Sequence, residues 1–406
     1  MTTRRAALAF IFVTVVVDVL AFGIIIPVLP KLVESFEGGN TAAAAVTYGI
    51  FGTAWGLMQF FFMPVMGALS DRFGRRPVIL ISCLGLGLDF FLMALAPNLT
   101  WLFVGRVISG ITASGFSTAF AYIADIAPPE KRAASFGLVG AAFGLGFVLG
   151  PALGGVLGQV DARLPFWVAG CLAVLNAAYG FFILPESLSA DKRAKFQWSK
   201  ANPVGSLALL RSHPELSGLA VAYFLMQLAH VVLPSITVLY MSYRYGWNEL
   251  TVGLVLAGVG ICSMIVQGGL VKPVVAKLGE RRAIAVGLAF GTAGFLLYGL
   301  ATTGFIFIAG IPVMALWGFA GPAVQASMTR HVGPTEQGQL QGANASLVAI
   351  AGIGGPALFS QIFASFIGPR AALNLPGAPF VLAASMLAAA GVIAWCATRS
   401  RAVQPA

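Results

Sequence analysis

Long apolar runs recur along the chain with short polar stretches between them. A helix that crosses a bilayer needs about 20 mostly apolar residues. Twelve runs meet that requirement: 7–30, 42–69, 78–97, 99–124, 133–158, 165–184, 216–241, 249–271, 283–303, 305–328, 339–366 and 378–397. The connections are short except 185–215, which contains ADKRAKFQWSK and reads as a linker. The first run follows Arg4-Arg5 and has the outline of a signal peptide. It continues well past twenty residues without a small-residue cleavage site, so it is expected to stay as a first helix.

Composition sharpens this picture. Hydrophobic residues make up 58% of the 406 positions and charged residues 9%, against about 25% charged in a soluble chain. That is too little polar surface to cover a globule in water, and no segment suggests a separate soluble domain. The formal charge is +10, but a nucleic-acid binder gathers its charge on one face. Here the basic residues lie in short runs between apolar segments. With the N-terminus inside, Lys31, Arg163, Arg244 and Arg370 fall outside and Arg106 within the membrane, leaving nineteen of 24 Lys and Arg on the cytoplasmic side. That asymmetry favours cytoplasmic termini and a multi-pass protein of a bacterial inner membrane. Cys83, Cys171, Cys262 and Cys396 sit inside apolar segments without pairing or ligand spacing, so neither a disulfide nor a metal site is expected.

The chain also repeats itself. PEKRAASFG (129–137) pairs with PTEQGQLQG (334–342), GPAL (150–153) with GPAL (355–358), and Gly74 and Arg76 with Gly279 and Arg281, all at an offset of 205 residues. Six crossings return a chain to its starting side, so the two halves share one orientation. The expected divisions are 1–184, the cytoplasmic linker 185–215, and 216–406. Parallel six-helix repeats that rock about a midplane site are the architecture of the major facilitator fold.

Particular motifs support that assignment. GALSDRFGRRP (67–77) resembles the signature joining helices 2 and 3 of major facilitator transporters, with Gly67, Asp71, Arg72, Gly74, Arg75 and Arg76 in place. The resemblance implies a charged latch that shuts the inner side in one state, with Asp125 nearby; a solvated turn is the plainer alternative. LFVGRVISG (102–110) is similar to the family's helix 4 motif. GFVLGPALGG (146–155) is similar to its antiporter motif through Gly146, Gly150, Pro151, Gly154 and Gly155. Glycines about one turn apart leave a bare face for close packing, and Pro151 permits a bend. Together PVLP (27–30), SDRFGRRPV (71–78), GRVISGIT (105–112), AYIADI (121–126), LGERRA (278–283) and GQLQG (338–342) resemble the proton-coupled tetracycline exporters. Those exporters carry a His in helix 8 and an Asp in helix 9 where this chain has Ser263 and Gly291. The departure argues against tetracycline itself as cargo and leaves drug export open.

Few ionisable groups lie within the apolar segments. An unpaired carboxylate there costs several kcal/mol, yet Asp18 sits in the first segment. At about 1.5 Å per residue, Asp89 and Arg106 lie roughly 10–12 Å below the outer boundary and can pair, whereas Asp18 lies roughly 18 Å below it. An acid whose neighbours change as the halves rock would take a proton facing one side and release it facing the other. Asp18 is the first candidate for that task and Asp89 the second, with Arg106 as partner; a packing Asp bonded to a neighbour is the alternative. The matching helix 1 Asp of the tetracycline exporters favours Asp18. Gln59, Gln227, His230, Trp55 and Trp317 are candidate cavity residues; helix hydrogen bonding explains the two glutamines as easily, while a buried neutral imidazole bonded to a carbonyl is the commoner fate for His230 and plain packing the commoner one for the two tryptophans.

The reading is a proton-driven antiporter exporting amphiphilic small molecules by alternating access. It needs no cofactor, since no nucleotide-binding loop is present, and is expected to act as a monomer without nucleic acid. A metabolite transporter of the same fold is the alternative. Neither HExxH nor GxSxG occurs, so an intramembrane enzyme is not expected.

Overall fold

A computed structural model describes residues 2–127, 132–189, 191, 193, 209–210, 216–333 and 336–398. Most of the linker lies outside these, as do Pro129, Lys131 and Pro334 of the repeat. Among the described residues, twelve helices are long and apolar enough to cross a membrane: α1 Leu8–Phe36, α2 Thr41–Phe73, α3 Arg75–Leu95, α4 Leu99–Ile126, α5 Val139–Val160, α6 Leu164–Ile183, α7 Ser217–Tyr245, α8 Glu249–Leu278, α9 Glu280–Leu300, α10 Gly304–Thr329, α11 Gln337–Ile367 and α12 Ala378–Ala397. This is the all-α, twelve-helix fold expected from the apolar runs. Phe182, Leu175, Phe305 and Val392 project from it almost uncovered, a surface suited to lipid rather than water.

The charged stretch between α2 and α3 is shorter than its composition suggests. The sequence predicts helix ends at 69 and 78, but α2 runs to Phe73 and α3 starts at Arg75, leaving Gly74 alone between them. Gly74 has φ +110°, a conformation that costs glycine little. At the equivalent place Gly279, φ +74°, separates α8 from α9.

Several spans are interrupted. α1 turns at 26–28, around Pro27, before its last eight residues. α4 breaks between Thr112 and Gly115. Ala113 has φ −71° and ψ 67°, and the Ser114 N–H donates to Thr112 O at 2.7 Å, an inverse γ-turn. The local sequence SGITASG favours it: glycine and serine are poor helix formers, and the Thr112 hydroxyl donates back to Ile108 O at 3.0 Å. α8 contains a π turn at Val266–Leu270, and α10 a 3-10 turn at Leu316–Phe319.

Close packing groups the helices into two compact units. One comprises Met1–Gly39, Ala54–Asn202 and Trp247–Ala257; the other comprises Asn40–Thr53, Pro203–Gly246 and Gly258–Ala406. In the first, α1 lies on α5 and α3 on α6, around Ile11, Val15, Val19, Ile79, Tyr122 and Ala177. In the second, α7 packs on α11 and α12, and α9 on α12. Its centre is aromatic, with Tyr298 and Phe307 stacked 4.2 Å apart. The start of α2 belongs to the second unit and the start of α8 to the first. Bare backbone explains both exchanges. A side chain on Gly155 would lie 2.6 Å from Glu249 O, and one on Gly52 2.8 Å from Pro356 Cβ, so these helices meet at distances only glycine permits.

Candidate transport site

Where α2 meets α3 in the first unit, Arg75 is the hub. Its guanidinium pairs with Asp71 one turn earlier, donates to Asp125 Oδ2 on α4 at 3.0 Å, and reaches Ser70 Oγ at 3.1 Å. Ser187 donates to the same Asp125 oxygen at 3.0 Å. Arg76 lies over the Phe181 ring and donates to the Phe181 carbonyl. Arg72 instead covers Phe73. A side chain on Gly67 would meet nothing within 4 Å, so packing does not require glycine there.

Sequence reasoning missed Glu186. Its two carboxylate oxygens accept the N–H groups of Arg75 at 2.9 Å and Arg76 at 3.2 Å. The first turn of a helix has N–H groups without intrahelical acceptors, and a carboxylate there is stabilised by the helix dipole. Glu186 lies more than a hundred residues away in sequence, so no local signal points to it. Glu186→Ala should therefore loosen the α3 start by about 1–2 kcal/mol, read as faster hydrogen exchange at Arg75–Ile79. Unchanged exchange there would refute the cap.

The second unit carries a matching arrangement with its charges reversed. Residues 75 and 125 are Arg and Asp; 205 positions further on, 280 and 330 are Glu and Arg, paired at 2.7 Å. Arg281, the counterpart of Arg76, lies 3.9 Å over Trp395. Both arginines thus lie over an aromatic ring near the end of a helix, α6 and α12.

Deeper in the first unit are the acids. Asp89 on α3 is fully buried and paired with Arg106 on α4, the pairing expected from their depth. Gly105 lies flat against Asp89, leaving no room for a side chain. Asp18 is half-buried and has no Lys or Arg partner among the described residues. It is not bare, however: Asn176 Nδ2 on α6 lies 3.4 Å from its Oδ1, and the Cys83 thiol on α3 bonds to it. Trp55 donates to Ser109 Oγ at 3.3 Å and stacks on Phe22 at 6.3 Å, so its polar edge is engaged. Gln59 is half-buried on the same helix. A lone amide in the apolar run 165–184 is an anomaly of the same kind as Gln59 and Gln227, and Asn176 is the amide that the structure sets beside Asp18.

In the second unit His230 is exposed, with its ring 5.7 Å from that of Trp317. A buried histidine bonded to a carbonyl would be the commoner outcome for such a residue and is not what the structure holds. Trp317 occupies the 3-10 turn of α10 and is backed by Phe295 at 5.6 Å. The π turn of α8 sits opposite, Val266 lying 3.4 Å from where a Gly318 side chain would begin. Irregular turns of this kind concentrate at functional sites. Gln227 is half-buried on α7, and Gln325 donates to Tyr223 OH at 3.4 Å. A side chain at Gly291 would meet Trp317 at 2.8 Å, so the indole fills the space beside it.

The glycine motif of α5 faces α1. A side chain on Gly150 would lie 2.6 Å from Gly23 Cα, and one on Gly146 2.7 Å from Val19. Gly154 abuts the Ile24 carbonyl, while Gly155 turns to α8 and Pro151 O abuts Gly253. The motif is thus a two-sided bearing surface next to the helix that carries Asp18.

Twelve spanning helices with ionisable groups held inside are the make-up of a secondary transporter. A family model described as Major Facilitator Superfamily matches residues 11–356, and the chain belongs to that superfamily. It is 38% identical over 359 residues to the tetracycline resistance protein, class C, of Escherichia coli, covering 88% of this chain and 90% of the relative. It is 35% identical over 367 residues to the class G protein of Vibrio anguillarum, covering 90% and 92%. Among solved structures, the human organic anion transporter MFSD10 (TETRAN) aligns with a TM-score of 0.71 at 24% identity, over 96% and 99% of the two chains, a likeness of fold.

Proposed function

We propose that the protein is a proton-driven antiporter that exports amphiphilic, drug-like small molecules from the cytoplasm by alternating access. The observation that carries this reading is Asp18, an acid within a membrane helix that is held by neutral groups and no cation. Such a group can gain and lose a proton without breaking an ion pair. The similarity to tetracycline resistance proteins supports a drug as cargo. The Trp317–His230 pair supports a flat aromatic one, since an exposed imidazole beside an indole offers both stacking and a hydrogen bond. Gly291, crowded by Trp317, supports a cargo other than tetracycline itself. In this reading Asp18 and Asp89 are the proton-handling acids and the Arg75 cluster the inner latch. The six-helix halves 1–184 and 216–406 move about the linker, both termini are cytoplasmic, and one chain suffices.

The test uses purified protein in proteoliposomes with an imposed pH gradient and a panel of fluorescent cationic dyes plus tetracycline. Accumulation against concentration that a protonophore abolishes is the expected result. If no dye moves while a metabolite panel does, the drug reading falls and the protein is a metabolite transporter.

A further inference from the structure

Asn176 is 3% exposed. Its Nδ2 donates to Thr14 O on α1 at 2.9 Å, and lies 3.4 Å from Asp18 Oδ1 and 3.7 Å from Cys83 Sγ on α3. Its Oδ1 is buried and has no donor, an arrangement that native interiors rarely leave without a purpose. On the other side of Asp18 is the break in α4. The position a Gly115 side chain would take lies 2.9 Å from Asp18 Oδ2, so the carboxyl abuts the start of the helix half Gly115–Ile126, which no side chain caps. Ser82 and Ser114, 2.7 Å apart, tie α3 to the break. The two Asp18 oxygens therefore face different elements, Oδ1 the amide on α6 and Oδ2 the N–H end of a half-helix.

From the elements around it, Asp18 faces Ser82 and Cys83 on α3, Ser114 and Gly115 on α4, and Asn176 on α6. The α5 span contains no charged residue, and Asp89 and Arg106 are engaged with each other. Cys83 is thus the only other titratable group in contact among the described residues.

We infer that Asn176 is the positioning residue for the Asp18 proton step, serving both forms of the acid. A carboxylate only accepts hydrogen bonds, whereas a protonated carboxyl must also donate one. The amide has both capacities: Nδ2 donates to the carboxylate, and the unfilled Oδ1 is the acceptor that the acid form needs. The step itself is a single transfer. A proton from the outer side forms the O–H bond on Asp18, which donates to Asn176 Oδ1 while the proton is held; the proton then leaves to the cytoplasmic side and the carboxylate again accepts from Nδ2. The inference rests on the proton-carrying role of Asp18 proposed above.

Two assays on the same proteoliposomes separate the possibilities: uptake driven by a pH gradient, and exchange of labelled for unlabelled dye without a gradient. Asn176→Leu, close in size and without polar atoms, is expected to lose about ten- to a hundredfold of driven uptake, the range for a lost hydrogen bond to a charged group. Exchange should stay near wild type, and Asp18→Asn should show the same split. Equal loss of both activities in Asn176→Leu would make Asn176 a plain helix tie and overturn the inference. Wild-type driven uptake in Asn176→Leu, with Asp18→Asn uncoupled, would overturn it and leave the transport reading intact. Driven uptake surviving in Asp18→Asn would remove the proton role from Asp18 and the inference with it. If Asn176→Leu does not fold, Asn176→Ser keeps a donor and an acceptor on a shorter side chain, out of reach of Asp18, and the same split decides.

Discussion

Asp18→Asn should fold, bind cargo and exchange it across the membrane, yet lose its response to a pH gradient by about a hundredfold, the lower end of what a positioned proton-transfer group contributes. The substitution keeps the shape and removes the one carboxyl in the apolar stretch 8–30 of α1. The Asn176 amide and the Cys83 thiol can still find hydrogen-bond partners on the new side chain. No ion pair is broken, since Asp18 has no cationic partner among the described residues. Stability should therefore change little. A variant that unfolds, or one that still accumulates dye against a gradient, would show that the acid is structural or that Asp89 carries the proton.

Arg106 should behave in the opposite way. Its guanidinium and the Asp89 carboxylate are both buried, at 7% and 0% exposure, so each is the other's compensation for leaving water. Removing one partner leaves an uncompensated buried charge, which costs about 3–5 kcal/mol. Arg106→Met should accordingly sharply lower the yield of folded protein and its melting temperature. Adding Asp89→Leu removes the stranded charge and should restore most of the stability, because replacing a whole buried pair by apolar side chains is often neutral. Transport by that folded double variant then separates the roles. Activity would confine the pair to structure, and inactivity would give it a part in the cycle. A single Arg106→Met as stable as wild type would contradict the pairing itself.

Where the sequence was readable, the physics was local. A run of about twenty apolar residues has few fates, so all twelve spans could be placed. Depth counting along α3 and α4 brought Asp89 to Arg106 because two helices crossing the same slab share one scale. The ends of the helices were less readable. α3 begins at Arg75 because Glu186, remote in sequence, accepts two of its N–H groups; nothing within the stretch 67–77 says so. The break in α4 was written in SGITASG, but only the nearness of Gly115 to Asp18 gives it a consequence. Elimination made Asp18 the unpaired acid, which holds for cations, while the amide and thiol around it come from two other helices. Gly67 marks the limit in the other direction, a motif position whose small size the surrounding structure does not demand.

The reversed charges at the α2–α3 and α8–α9 junctions have an implication for how such a chain assembles. Segments similar in sequence and made one after the other are prone to exchange partners, a common failure of repeated architectures. Were the α4 end of one half to seat on the α8–α9 junction of the other, Asp125 would face Glu280. In the reciprocal error Arg330 would face Arg75. Each wrong docking sets like charges together where the right one sets opposites, so polarity serves as an address that a shared fold cannot supply. Giving both halves the same address, with Glu280→Arg and Arg330→Asp together, should keep the local ion pair yet raise the share of misassembled and dimeric protein. An unchanged monomer yield would mean that the chain sorts its halves by other means.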